Sequence, residues 1–355
     1  MHRFGLIKIY SLLSILPLCF CGCFKQGSSI SALCEKDSDE RYILKWETTP
    51  YMENALLNIY VSDNDSTFPA EPSRNVNSDE FISVVEVPES MDRPFFKLKV
   101  GSTTSGIIAN RFFKLDSVQN FRDIGGYYTR DNRQVKWGKV YRSGSFSRMT
   151  VKDEKELSKL NIKTVIDLRS QNAIQTRPLT FDIDNYMKEP INTVSFDGVR
   201  SKIIDNKFYR GDALIYMQDI YKDLVENQTE HYATFFEHLT DESNYPIAYN
   251  CHLGKDQTGL ASYFLLLALG VPSEVAEIDY MASNIGIDKE QLMKNGEVSE
   301  TAQEAMTTIT NSDLSFLRFA ISCITKKSGS VDDYMTKELM LTVEKRKQLR
   351  KILLY

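Results

Sequence analysis

Between Arg41 and Leu115 apolar residues come in short runs, Tyr42 to Glu47, Leu56 to Val61, Phe81 to Val87, Phe95 to Val100 and Ile107 to Leu115, with strict alternation at Phe96, Leu98 and Val100. A period of two marks half-buried strands. Polar, turn-forming stretches such as Ser62 to Ser66 and Gly101 to Gly106 separate the runs. Five or more strands in so short a span predict a small β-sandwich of the fibronectin or immunoglobulin kind over residues 41–117. Such a module is usually a spacer or a binding surface for a protein partner, and no catalytic cluster falls within it.

From Val118 the pattern changes. Thr150, followed by Asp153 and Glu154, can cap a helix running to Leu160, and Lys163 to Leu168 then reads as a buried strand. Amphipathic stretches at Asp212 to Val225 and Glu230 to Leu239 lead to the apolar strand Pro246 to Tyr249. An apolar helix from Leu260 to Leu269 follows, stopped by Gly270 with Pro272 just beyond, and the chain from Ser273 onward is helical in pattern. Alternating strands and helices predict an α/β fold with a mainly parallel sheet covered by helices, over residues 118–355.

The junction between that strand and that helix carries the chemistry. It reads Asn250-Cys251-His252-Leu253-Gly254-Lys255-Asp256-Gln257-Thr258-Gly259. A strand, a glycine-containing turn and a helix N-terminus form a phosphate-binding layout, because unpaired N–H groups and the helix dipole attract anions. The same field keeps a thiol ionised, and Cys251 faces it. A lone cysteine ending an apolar strand is otherwise a small buried residue; Gly254 three positions on, with Thr258-Gly259 opening the helix, shifts the balance to a nucleophile.

Composition narrows the partners. The 355 residues carry 43 basic against 48 acidic side chains, a net charge of -5, with 42% hydrophobic residues, a globular balance that argues against nucleic acid as a ligand. Residues 1–22 hold Arg3 and Lys8 before an apolar run from Ile9 to Cys21 that is too short for a membrane span and reads as a signal peptide. Phe20-Cys21-Gly22-Cys23 resembles the bacterial lipobox. That resemblance implies lipidation of Cys23, a membrane attachment through residues 23–40 as tether, and a location in the cell envelope outside the cytoplasm. Of the six cysteines only Cys34, Cys251 and Cys323 lie in the body, which is no disulfide framework and shows no metal-ligand spacing, although a Cys34–Cys323 bridge stays open.

The loop resembles that of the cysteine-dependent protein tyrosine phosphatase superfamily, and within it the bacterial tyrosine/serine (phosphoinositide-type) phosphatases, whose loop reads HCxxGKDRTG. Cys251, Gly254, Lys255, Asp256, Thr258 and Gly259 match; Asn250 stands for His and Gln257 for Arg. Further matches are Asn120-Phe121-Arg122-Asp123-Ile124-Gly125-Gly126, Trp137 to Ser143, Val165-Ile166-Asp167-Leu168-Arg169-Ser170, Asp279-Tyr280-Met281 to Asn284, and the tail from Gly329. The resemblance implies a tyrosine-phosphatase-like domain, no cofactor, and a phosphocysteine intermediate on Cys251, which splits the transfer into two steps. It implies phosphate contacts from His252, Leu253, Gly254, Lys255, Gln257, Thr258 and Gly259, and a general-acid role for Asp256, whose structural alternative is helix capping. Asp197 is a competing acid. Lys255 adds charge beside the phosphate, Thr258 can bond the thiolate, and Arg122, Asp123 and Arg169 match motifs that pack near the loop, where they support it or serve as structural ion-pair residues.

Gln257 is the consequential departure. The family's Arg grips two phosphate oxygens with a charged planar fork, whereas glutamine offers a neutral amide. Removing such a donor costs about 10²- to 10³-fold in turnover for an oxyanion contact and about 10³- to 10⁵-fold for a catalytic arginine on a phosphoryl group. Two readings follow: a slow phosphatase of phosphate monoesters, or a pseudophosphatase binding phosphate or another anion. A third, acyl hydrolysis on Cys251, lacks a base, since His231 and His238 lie in a helix the sequence does not place.

Overall fold

A computed structural model describes residues 28–38, 40–193, 197–288 and 299–355. Eight strands form the N-terminal part: β1 (Ser29–Ser38), β2 (Arg41–Thr49), β3 (Leu56–Ser62), β4 (Arg74–Asn77), β5 (Ile82–Glu86), β6 (Phe95–Val100), β7 (Thr103–Thr104) and β8 (Ile108–Ala109). They make two antiparallel sheets, β1-β2-β5 and β4-β3-β6-β7, with β8 also paired to β6. Inward residues of both sheets, among them Leu44, Trp46, Leu57, Ile59, Phe96 and Leu98, form one core. The alternation in the sequence thus becomes a two-layer sandwich.

Two boundaries differ from expectation. β1 pairs with β2 from Ser29↔Thr49 to Ser38↔Arg41, so most of the stretch read as a tether is a sandwich strand; its buried positions, Ile30 and Cys34, are too sparse among serines and charges to show as a period. The run Ile107 to Leu115 is strand only at β8. Beyond it the chain crosses to the second domain, where Arg111 lies 4.0 Å over the Tyr127 ring. Cys34 and Cys323 are both free thiols. Burial pushes the Cys34 thiol well above its usual range, which makes it inert.

The second domain is built on a five-stranded sheet of β9 (Arg122–Asp123), β10 (Val140–Ser143), β11 (Thr164–Asp167), β12 (Asn185–Lys188) and β13 (Ile247–Asn250), in the order β12-β11-β13-β10-β9. β10, β11, β12 and β13 run parallel, and β9 is the antiparallel edge. Around it stand α1 (Val151–Ser158), α2 (Gln171–Thr176), α3 (Asp197–Ile204), α4 (Arg210–Glu226), α5 (Thr229–Thr240), α6 (Gln257–Leu269) and α7 (Ser273–Met281). Helices at Glu300–Thr310, Leu314–Ser328, Val331–Lys337 and Val343–Leu353 complete the cover. Thr150 and Asp153 cap α1 reciprocally as expected. No helix among the described residues is long and apolar enough to cross a membrane.

The sandwich is fastened to the sheet beside its edge strand β9, whose outer side is bridged by Phe112 opposite Arg122. Arg93 pairs with Asp123 and with the Tyr141 hydroxyl, and its guanidinium lies 5.4 Å from the Phe113 ring centroid. Trp137 donates its indole N–H to Ile107 C=O at 2.8 Å, and Tyr355 donates to Asp65 at 2.6 Å. Asp123 is therefore a structural ion-pair residue, one of the two places the sequence left open for it, and not a support of the loop. Strand alternation turns it to the face opposite Arg122, where it also accepts the N–H groups of Gly125 and Gly138, both at 2.6 Å. Arg93→Met leaves that carboxylate buried without its cation, and we expect a loss of about 3–5 kcal/mol in urea denaturation. A change under about 0.5 kcal/mol would contradict this account of the junction.

Candidate active site

β10, β11 and β13 are in register, Ser143 opposite Asn250 and Asp167 opposite Asn250, so the loops that follow them leave the sheet at one edge. Crevices outside the carboxyl ends of parallel strands are where open α/β sheets place ligands. Cys251 is the first residue beyond β13, 1% exposed, with its N–H donated to Ser143 C=O at 3.3 Å. Its Sγ lies 3.5 Å from Thr258 Oγ1. The chain turns at Gly254, whose φ is +70° and where a Cβ would sit 2.4 Å from the Ser143 carbonyl carbon. Only glycine fits both demands. α6 begins at Gln257, and its first intrahelical bond there joins Leu260 N–H to Asp256 C=O at 2.9 Å. The N–H groups of Gln257, Thr258 and Gly259 precede that bond and form the anion-attracting end of the helix.

A buried cluster grips the loop from behind. Asn120 donates its amide to Gly254 C=O at 2.7 Å and Leu253 C=O at 3.2 Å, and Arg142 Nη2 reaches the same Gly254 carbonyl at 2.9 Å. Asp279, on α7, joins Arg142 Nη1 at 2.6 Å and Arg122 Nε at 3.3 Å. Burial alone would raise the Asp279 carboxyl, but Arg122, Arg142 and Arg111 outweigh it and hold the group well below the usual carboxylate range. Burial and the neighbouring Arg142 lower Arg122 to about 10, so Arg122 remains charged at neutral pH. Arg122 reaches the loop's back through Asp279 and Asn120, while Arg142 and Asp279 stand in the sequence only within longer motifs.

Arg169 holds a different part of the frame. Its Nε and Nη2 bind Asp167, and Nη1 reaches Ser145 Oγ at 3.1 Å and Arg177 C=O at 2.8 Å. Asp167 in turn accepts from Tyr186 at 2.8 Å and from the Asn250 side-chain amide at 3.2 Å. Asn250, in place of the motif's His, therefore links β13 to β11. Its Oδ1 is buried without a partner among the described residues.

The loop's charged pair departs from expectation. Lys255 is buried, and its Nζ lies 2.6 Å from Asp256 Oδ1, so its charge is engaged by the neighbouring carboxylate rather than held out beside a phosphate. Asp256 makes no side-chain cap of α6. Its Oδ1 also accepts from Tyr221 at 2.8 Å, and Tyr221 shares a 2.6 Å hydrogen bond with Tyr280. Tyr221 was not singled out in the sequence, where it is one aromatic of an amphipathic helix. Asp197 opens α3, and its side chain lies outside the described residues, as do Cys23 and the rest of residues 1–27. His252 is exposed beside the cysteine. Desolvation first, and then Arg177 and Arg169, lower its imidazole pKa. His238 bonds Glu189 at 2.9 Å, and neither it nor His231 has a contact with Cys251 among the described residues.

Comparison with known proteins decides the family. A tyrosine phosphatase family model matches residues 113–355. The chain belongs to the tyrosine phosphatase family. It is 26% identical over 241 residues to H16_A0669 of Cupriavidus necator, named provisionally as a tyrosine-protein phosphatase, covering 64% of this chain and 84% of that one. It is 24% identical over 217 residues to the triple specificity protein phosphatase PtpB of Mycobacterium tuberculosis, covering 55% of this chain and 76% of the relative. Among solved structures, P. aeruginosa TpbA is 14% identical with a TM-score of 0.27, covering 54% of this chain and 90% of that one. Family and relatives support a cysteine-dependent phosphatase.

Asp279 supplies a test of the frame. Asp279→Asn leaves two buried guanidinium groups without a carboxylate, with an expected loss of about 3–5 kcal/mol at pH 7. Because the folded-state pKa is depressed, this stabilisation is present above the unfolded pKa and fades as pH falls below it. The gap between parent and variant in urea denaturation should therefore narrow by about 1 kcal/mol between pH 5 and pH 3. A gap independent of pH would show that Asp279 is not the ion holding the arginines.

Proposed function

We propose that this phosphatase hydrolyses phosphate monoesters of the tyrosine/phosphoinositide type through a phosphocysteine on Cys251, at a rate reduced by Gln257. The observation that carries the reading is the joint placement of Cys251, the glycine turn and the α6 N-terminus, with Thr258 Oγ1 3.5 Å from the sulfur. In the first step Cys251 Sγ attacks phosphorus and the leaving oxygen takes a proton from Asp256. Lys255 and Tyr221 both approach Oδ1, which leaves Oδ2 to carry that proton. In the second step water attacks the phosphocysteine, Asp256 takes its proton, and Thr258 bonds the departing thiolate. The loop N–H groups hold the equatorial oxygens.

A specific observation favours a second reading, a pseudophosphatase that binds phosphate or another anionic ligand. Position 257 is neutral and Lys255 is engaged by Asp256, so neither loop side chain offers the phosphate a free cation. Turnover of p-nitrophenyl phosphate and of a phosphoinositide panel separates the two. The first reading expects slow parent turnover, abolished by Cys251→Ser and raised by Gln257→Arg about 10²- to 10⁵-fold. Phosphate binding without parent turnover, together with activity gained in Gln257→Arg, selects the pseudophosphatase. Activity surviving in Cys251→Ser would sink both.

We propose further that the protein is secreted and lipid-anchored through Cys23, on the membrane's non-cytoplasmic side, which favours soluble or host-derived phosphate esters over cytosolic phosphoproteins of the same cell. The support is the sequence Phe20-Cys21-Gly22-Cys23 after a short apolar run. Mass spectrometry of the mature N-terminus should find a diacylated cysteine at position 23. An unmodified N-terminus beyond it would refute the anchor.

A further inference from the structure

Three loops emerge together at the carboxyl edge of β10, β11 and β13, and the two beside the phosphate loop each carry an exposed arginine. The loop after β10 is pressed against the phosphate loop: Ser145 N–H is donated to His252 C=O at 3.1 Å, and a Cβ on Gly144 would lie 3.4 Å from that same oxygen. Three residues on, Arg148 is exposed. The loop after β11 is tied to the first by Arg169, whose Nη1 spans Ser145 Oγ and Arg177 C=O. Arg177, which ends α2, is exposed as well. Neither Arg148 nor Arg177 has a carboxylate partner among the described residues, in a chain with net charge -5. Both contribute to the lowered pKa of His252, after desolvation and with Arg169 between them in size, so their charges stand close to the residue that follows Cys251.

We propose that Arg148 and Arg177 form a subsite for a second anionic group, so that the preferred ligands are phosphate monoesters carrying another phosphate or carboxylate near the one held at Cys251. This rests on the reading of Cys251 as the phosphate site. The physical reason is compensation. The loop has no free side-chain cation of its own, and binding energy from a remote group can help hold the reacting one in place. Guanidinium forks suit phosphate and carboxylate oxygens alike, and lying on separate loops the two can flank one ligand.

Two probe pairs distinguish the source of the second anion: a phosphotyrosine peptide flanked by Asp and Glu against the same peptide with Asn and Gln, and fructose 1,6-bisphosphate against fructose 6-phosphate. The full chain is assayed by kcat/KM, and its Cys251→Ser form by calorimetric affinity. At least one doubly anionic probe should beat its singly anionic partner. Arg148→Ala with Arg177→Ala should lower that preference by about 5- to 30-fold while p-nitrophenyl phosphate turnover changes less than about twofold. The charge reversals Arg148→Glu and Arg177→Glu should invert the preference, a result that a merely unfolded variant does not give. An equal response of both members of each pair to the substitutions overturns the subsite and leaves the Cys251 reading intact. Failure of every probe to bind or turn over overturns the Cys251 reading itself, and the subsite with it.

Discussion

Behind the phosphate loop, Arg122 and Arg142 are both fully buried and share the carboxylate of Asp279. One carboxylate between two guanidinium groups leaves a net positive charge in the interior, which is costly unless the remaining donors find acceptors, and among these two side chains only Arg142 Nε lacks one. The acceptors are largely backbone: Asp279 C=O and Ser283 Oγ for Arg122, Gly254 C=O for Arg142. Gly254 is thereby fixed by the need to satisfy a buried charge, and with it the turn that presents the N–H groups of α6. β9, β10 and α7 converge on that one carboxylate. The same buried charge lies on the side of the loop away from its ligand, where it favours an anion in front.

That arrangement bears on what Gln257 removes. An arginine at 257 would add charge and a bidentate grip, but the loop's conformation does not depend on it, because the grip on Gly254 comes from Arg142 and Asn120. Lys255 turned to Asp256, with Tyr221 as second donor, places the carboxylate without asking anything of residue 257. Architecture and charge at the phosphate are therefore separable here. The first is complete; the second is reduced, and basic groups outside the loop gain in importance.

Much of this was legible in the sequence, and the limits have physical causes. The loop, α6 and the strand before it follow from local signals: an apolar run, a glycine turn and a helix stop at Gly270. The reciprocal cap of α1 is equally local. Arg142 and Asp279 meet across 137 positions, and nothing in a period of two or 3.6 reports a pairing at that separation. β1 was hidden because its exposed positions are serines and charges that resemble a linker. Asp123 was left between two roles for a subtler reason. It sits in the same short motif as Arg122, and adjacency in sequence suggested a common role, whereas in a strand adjacent residues point to opposite faces.

That alternation also gives the sandwich a structural place. β9 is the edge of the sheet, and an uncovered edge is a liability for any open sheet. The segment after β8 bridges its outer side, with Asp123 N–H donated to Arg111 C=O at 3.0 Å and Phe113 N–H to Phe121 C=O at 3.1 Å, and Arg93 of the sandwich pairs with Asp123 directly beside the residue that grips Asp279 from the other face. Arg111 and Trp137 extend the same contact, with the guanidinium 4.9 Å from the indole ring. Fastened in this way, the edge strand that anchors Arg122 is held from both faces, so the sandwich is part of the frame that shapes the phosphate loop as well as a surface beyond it.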